Sequence, residues 1–419
     1  MEKYSNNMPN SKTIIGPFSQ LLSMRNLPKK GAMKDELLEI IPNGGIVVAD
    51  GLIQEIGDFK ALCIQHATAI IECIESDMVA LPGLIDAHTH ISFGGTRAAD
   101  FAARNGGVSY LEIAKAGGGI WSTVTQTRAA SQEKLAELTQ QRLDKLLQNG
   151  ITTVEAKSGY GLNVEQELKI LRAINQAKNL HAVDVVPTCL AAHMVPKDFD
   201  GSEEEYLDIL LNELVPQIKE EGLCNRFDVF IEDSAFGIES SKIYLNALKS
   251  QGFEITVHGD QFTTGGSKVA VEVGALSVDH LEVSGDEEIA LLAKSDVVPV
   301  ALPGASIGLG CSFTPARKLL DAGCSLAIAS DWNPGSAPQG NLVAQASILC
   351  TFQKLSAVEV LAGITVRAAR ALGLKDRGVL EQGMLADMVA FPGTDYREIL
   401  YQQGELKASA VWKNGERKS

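Results

Sequence analysis

The chain has 419 residues, 45% apolar and 21% charged, a composition ordinary for a globular protein with room for a barrel of roughly 250 residues and a smaller unit. Its 52 acidic against 37 basic side chains leave a formal net charge of -15 with no basic block, so neither nucleic acid nor anionic membrane is expected as a partner. The 7 cysteines are scattered without a Cys-x-x-Cys pair, which points to reduced thiols in a cytoplasm rather than a disulfide framework.

In chain order, Met1 to Lys12 is polar and lacks the apolar centre of a signal peptide. Short strand-like pieces follow at Thr13 to Ile15, Gly45 to Asp50 and Leu52 to Gly57. Asp50-Gly51 is a hairpin signal, because both residues tolerate positive φ. A hairpin-rich segment of this size is marginal alone. The far end of the chain supplies more strands, Asp387 to Phe391 and Ala408 to Gly415, so a small β-sandwich assembled from residues 1–79 and 376–419 is expected.

Residues 80–375 alternate strands and helices. Candidate strands run Val79 to Asp86, Thr152 to Ser158, Ala182 to Cys189, Phe227 to Glu232, Glu254 to His258, Leu276 to His280, Val297 to Leu302 and Ser325 to Asp331. Between them, Leu135, Leu138, Leu143, Leu146 and Leu147 form one apolar helical stripe; Tyr206, Ile209, Leu210, Leu214 and Ile218 form another. Eight strands, each followed by a helix, predict a (β/α)8 TIM barrel, with a doubly wound open sheet as the alternative. No apolar run approaches the roughly 18 residues of a membrane helix.

Chemistry in such a barrel gathers at the C-terminal ends of the strands. The first strand ends in Asp86-Ala87-His88-Thr89-His90, and residues two apart on a strand face the same side, so both imidazoles can reach one metal ion. His258 ends the fifth strand, His280 the sixth and Asp331 the eighth. An isolated His-x-His is as often an ordinary surface pair as a metal site. Sequence-distant residues have no structural reason to share this register, and together they predict a divalent-metal centre.

These strand ends resemble the amidohydrolase superfamily of metal-dependent hydrolases, and Gly383 to Val389 resembles its return strand into the small domain. Other stretches resemble the branch that opens the ring of 4-imidazolone-5-propanoate in histidine degradation. They are Phe93-Gly94-Gly95-Thr96-Arg97, Ala116 to Ile120, Glu155 to Leu162, Ala191-Ala192-His193 and Asp331 to Ser336. The resemblance implies a hydrolase that cleaves a carbon–nitrogen bond of a cyclic amide to give N-formimidoyl-L-glutamate, acting as a homodimer. It implies His88, His90, His258 and Asp331 as ligands of one divalent metal per chain, zinc or iron, since three imidazoles and a carboxylate suit either. Two-metal relatives bridge their ions with a modified lysine on strand four. Here that strand ends in Glu232-Asp233 and Lys157 ends strand two, so one ion is expected.

Asp331 is then the candidate to carry the water's proton to the leaving nitrogen, and His280 to hold the water or stabilise the oxyanion. Arg97 suits the propanoate of a small anionic heterocyclic substrate, because its planar fork donates two parallel hydrogen bonds; pairing with Asp100 is the plainer alternative. The resemblance adds Tyr160, His193, Gln261, Asn333, Gly335 and Ser336 as substrate contacts, Gln261 also as a catalytic group. Some relatives carry Glu at the position of Gln261; an amide binds the ring but accepts no proton. Tyr160 is as readily a packing residue, and Gly335-Ser336 as readily a turn. Within the class, the alternative is a deaminase or another cyclic amidohydrolase acting on a related heterocycle.

Overall fold

The computed structural model describes residues 11–108, 112 and 116–419; the first ten residues of the polar opening lie outside the described residues. Both chain ends build one mixed sheet. Its strands are β1 (Thr13–Leu22), β2 (Ile40–Ala49), β3 (Leu52–Asp58), β4 (Ile70–Cys73) and β5 (Met78–Pro82), then β14 (Met388–Pro392), β15 (Ala410–Lys413) and β16 (Glu416–Arg417). The order is β16-β15-β14-β5-β1-β2-β3, with β4 beside β1. Asp50 and Gly51 turn the β2–β3 hairpin at φ 52° and 77°, as their sequence predicts. The sheet curls until its β3 edge meets the segment leading into β14, with Ile53 N–H bonded to Met384 O and Ala386 N–H to Gly51 O. The expected sandwich is therefore one sheet folded on itself. Inside it, Phe18 of β1 meets Trp412 of β15 edge to face, ring centroids 5.8 Å apart.

The second sheet is the barrel. It runs β6 (Leu84–Asp86), β7 (Ile151–Lys157), β8 (Asp184–Ala192), β9 (Arg226–Ile231), β10 (Glu254–Gly259), β11 (Ser277–His280), β12 (Val298–Ala301) and β13 (Ala327–Ile328), neighbours in sequence order. Every pairing among them is parallel. A parallel bridge between Thr89 and Trp332 closes the ring, with Asp331 N–H on His88 O at 3.0 Å and His90 N–H on Trp332 O at 2.9 Å. That closure removes the open-sheet alternative. It also falls on the residues expected to bind metal.

One expected strand, Val79–Asp86, is in fact two. β5 belongs to the small sheet and ends at Pro82, which has no N–H to continue a ladder. Gly83 then donates to Asp387 O in the small unit, and Leu84 to Gly150 O in the barrel. A side chain at position 83 would strike Thr152, so only glycine lets the chain cross between the two sheets here.

The helices follow the apolar stripes. In Gln132–Gln148, Leu135, Leu143 and Leu146 are fully buried, and the Ser131 side chain caps the start. The second stripe opens on a capping box of Ser202 and Glu205 and buries Tyr206, Leu210, Leu214 and Ile218, with one wide turn at Leu210–Leu214. Among the described residues no helix is long and apolar enough to cross a membrane, and all the cysteines are free thiols.

Candidate metal centre

Four side-chain atoms converge at the C-terminal mouth of the barrel. His88 Nε2 lies 3.2 Å from His90 Nε2, which lies 3.3 Å from His258 Nε2. Asp331 Oδ1 completes the group at 3.5 Å from His88 Nε2 and 3.4 Å from His90 Nε2. All four residues are buried. Burial, reinforced for His88 by the Lys157 charge, holds His88 and His90 neutral with pKa values well below the usual range. Burial also brings His258 down to about 3, against the pull of Asp228. Neutral nitrogens and a carboxylate oxygen aimed at one point leave lone pairs facing one another. Bonds of about 2.0–2.1 Å in a tetrahedron put ligand atoms roughly 3.4 Å apart, so this donor set fits one small divalent cation.

Buried carboxylates orient these imidazoles and Asp331 from behind. Asp279 Oδ2 lies 2.6 Å from His88 Nδ1, and Asp228 Oδ2 lies 2.8 Å from His258 Nδ1 while its other oxygen accepts from the His258 N–H. Asp86 accepts from both Ser330 N–H (2.9 Å) and Ser330 Oγ (2.5 Å), which anchors the residue before Asp331. Asp331 itself has φ 51° and His280 φ 85°, uncommon for residues with side chains. Sequence reasoning missed Asp86, Asp228 and Asp279. The available signal was charged residues at alternate, inward positions of apolar strands, as in Arg226-Phe227-Asp228-Val229-Phe230.

His280 stands beside the converging atoms, its ring centroid 5.2 Å from that of His258. Burial is the largest influence and opposes a charge on it, but Glu282, 3.4 Å from Nδ1, together with Asp331 and Asp279 outweighs burial and raises its pKa. Burial likewise lifts Asp331 to about 7, partly offset by His280.

A cavity of about 910 Å³ opens above these residues. Every residue expected to touch substrate lines it: Arg97, Tyr160, His193, Gln261, Asn333, Gly335 and Ser336. His193 Nδ1 donates to Gly159 O at 3.0 Å, and burial lowers its pKa to about 4, so its Nε2 remains an acceptor. Burial raises the Tyr160 pKa and keeps its hydroxyl protonated. Arg97 makes the plainer pair with Asp100 and also reaches the cavity. Its Nε is bonded to Asp100 at 2.9 Å, yet its guanidinium still lines the cavity, packed so closely on Gly335 that a side chain there would strike it. Asn333 spends its carboxamide on its own loop, donating to Asp331 O and Ser336 Oγ and accepting from the Gly335 and Ser336 N–H groups.

Two further buried carboxylates shape the walls. Glu167 accepts from the N–H groups of Gly159, Gly161 and Leu162, which fixes the loop carrying Tyr160. Glu232 accepts from those of Gln261, Phe262 and Thr263.

The comparisons agree with this geometry. Residues 79–418 match the family described as "Amidohydrolase family", so the chain belongs to the amidohydrolases, the class the barrel and its centre define. Within that class it is similar to the imidazolonepropionase of Bacillus cytotoxicus, 39% identical over 96% of this chain and 95% of the relative. It is likewise similar to that of Bacillus mycoides, 38% identical over 96% of each. Two solved structures share the fold at 18% identity. One is an adenosine deaminase from Xanthomonas campestris with bound zinc (TM-score 0.71, 98% of this chain, 94% of the other). The other is atrazine chlorohydrolase from Arthrobacter aurescens complexed with zinc (TM-score 0.70, 97% and 94%).

Proposed function

We propose that the chain hydrolyses the ring amide of 4-imidazolone-5-propanoate to N-formimidoyl-L-glutamate. The observation that carries this reading is the placement of Arg97 and Tyr160 on the wall of the same cavity that has His90, His258 and Asp331 at its base. Near full-length similarity to imidazolonepropionases supports it. His88, His90, His258 and Asp331 would hold one divalent metal, zinc or iron, since both accept nitrogen and oxygen donors of this kind. When bound, the ion supplies Lewis-acid charge that polarises a carbonyl and makes water acidic near neutrality.

The chain's own groups do the rest. Arg97 and the protonated Tyr160 bind and orient the anionic substrate, and the amide of Gln261 hydrogen-bonds its ring. Asp331 keeps Oδ2 away from the imidazoles, 3.4 Å from Ser336 Oγ. There it accepts the proton of the attacking water and returns it to the ring nitrogen as the C–N bond breaks. His280, kept basic by Glu282, donates to the oxyanion that develops at the carbonyl. Gln261, being neutral, leaves proton transfer to Asp331. We further place the enzyme in the cytoplasm, in keeping with its free thiols, and as the homodimer that the family resemblance implies.

His258→Ala tests the reading. It should lose metal and turnover together, and full metal occupancy in that variant, measured by elemental analysis, would refute the ligand assignment.

A further inference from the structure

We propose that Lys157 is the positioning residue that limits the centre to one metal ion, its ammonium standing where a second cation would otherwise balance Asp228 and Asp279. The inference rests on the metal reading above. Asp228, His258 and Asp279, contributed by β9, β10 and β11, present ligand atoms within 4.8 Å of one another, all buried. They form a second group able to hold an ion, and it shares His258 with the first.

Lys157, the last residue of β7, reaches into that group from the other side and is fully buried. Its Nζ lies 2.7 Å from Asp228 Oδ2, 2.8 Å from Glu155 Oε2 and 3.7 Å from Asp279 Oδ2. Its backbone N–H bonds to Thr89 O, between the two strand-one histidines, so its place is tied to the centre. The neighbouring buried cation, Arg226, is turned away, with Nε 3.3 Å from Glu155 and Nη2 on Ser277 Oγ and Ala371 O. Three carboxylates against two cations leave one formal negative charge beneath the centre. Without Lys157 that becomes two, and a buried charge lacking a partner is strongly unfavourable.

The same oxygen of Asp228 that meets Lys157 also meets His258 Nδ1, and the same oxygen of Asp279 that faces Lys157 meets His88 Nδ1. The ammonium thus fixes both carboxylates in the positions that turn each Nε2 toward the single ion. A second cation would have to displace it.

The test is a chelator-buffered zinc titration of the full chain, with metal counted by elemental analysis. The unaltered protein should take up one ion. Lys157→Ala, which removes the charge and opens space, should take up two, the second more weakly. Lys157→Met, which removes the charge but fills the space, should hold one ion at least tenfold more weakly. One ion at unaltered affinity in either variant overturns the proposal. If neither variant folds, zinc-soaked crystals of the unaltered protein decide: anomalous signal between Asp228 and Asp279 beside an intact Lys157 overturns it, and signal at the first site alone supports it. An unaltered protein that holds no ion would overturn both this proposal and the metal reading.

Discussion

Arg97 illustrates how much a single side chain is asked to do. The molecule carries a net charge of -15, and an anionic substrate needs a local cation to enter. With Nε held by Asp100, the guanidinium faces the cavity over Gly335. A hydrogen bond to a charged group contributes roughly 1.5–3 kcal/mol, or about one to two decades in kcat/KM. Arg97→Met should therefore lower kcat/KM for the propanoate substrate at least tenfold with metal content intact, and leave a tail-less imidazolone almost unaffected. Gly335→Ala should show the same selective loss, since its methyl displaces Arg97 without touching the metal ligands. Equal losses on both substrates would assign Arg97 a structural role. At the same scale, Asp331 is the proposed ligand whose proton would compete with the metal near neutrality, its value in the metal-free site being raised to about 7 while that of His258 lies near 3. The ionised form is the one that binds, so affinity is lost as pH falls through the raised value. Metal affinity, measured by chelator competition, should fall about tenfold per pH unit below 7 and flatten above it.

At the scale of elements, the loops at the mouth are held from beneath by carboxylates on the barrel. Glu167 receives three N–H groups from the loop that carries Tyr160. Glu167→Gln replaces an acceptor-only group with one that carries two donors, so this cradle loses a bond. The expected outcome is a higher KM and at least a fivefold lower kcat/KM, with metal content unchanged; loss of metal would place its effect elsewhere. These supports explain what was legible in the sequence. Strand ends, the Asp50-Gly51 hairpin and the apolar stripes are local patterns, and the five ligand-type residues could be read from register alone. Asp228, Asp279 and Glu167 were not, because each looks like an ordinary charged residue until the barrel closes around it. The split at Gly83 was hidden for a related reason: β5 and β6 together read as one apolar run, and only the Asp387 and Gly150 carbonyls divide it.

Across the whole molecule, the helices around the barrel supply much of its buried core. Leu143 and Leu146 of the helix Gln132–Gln148 are fully buried against it. Leu143→Ala should destabilise the protein by about 2–5 kcal/mol, seen as a lower melting temperature, while the folded fraction keeps its metal content. That scaffold and its metal centre serve one proposed reaction, which product analysis tests most directly. Freshly generated 4-imidazolone-5-propanoate is incubated with protein of measured metal content, and the products are identified by mass spectrometry. The substrate should gain one water to give N-formimidoyl-L-glutamate, at a rate proportional to metal occupancy up to one ion per chain. An unchanged imidazolone, with ammonia released instead from a cyclic amidine, would contradict it.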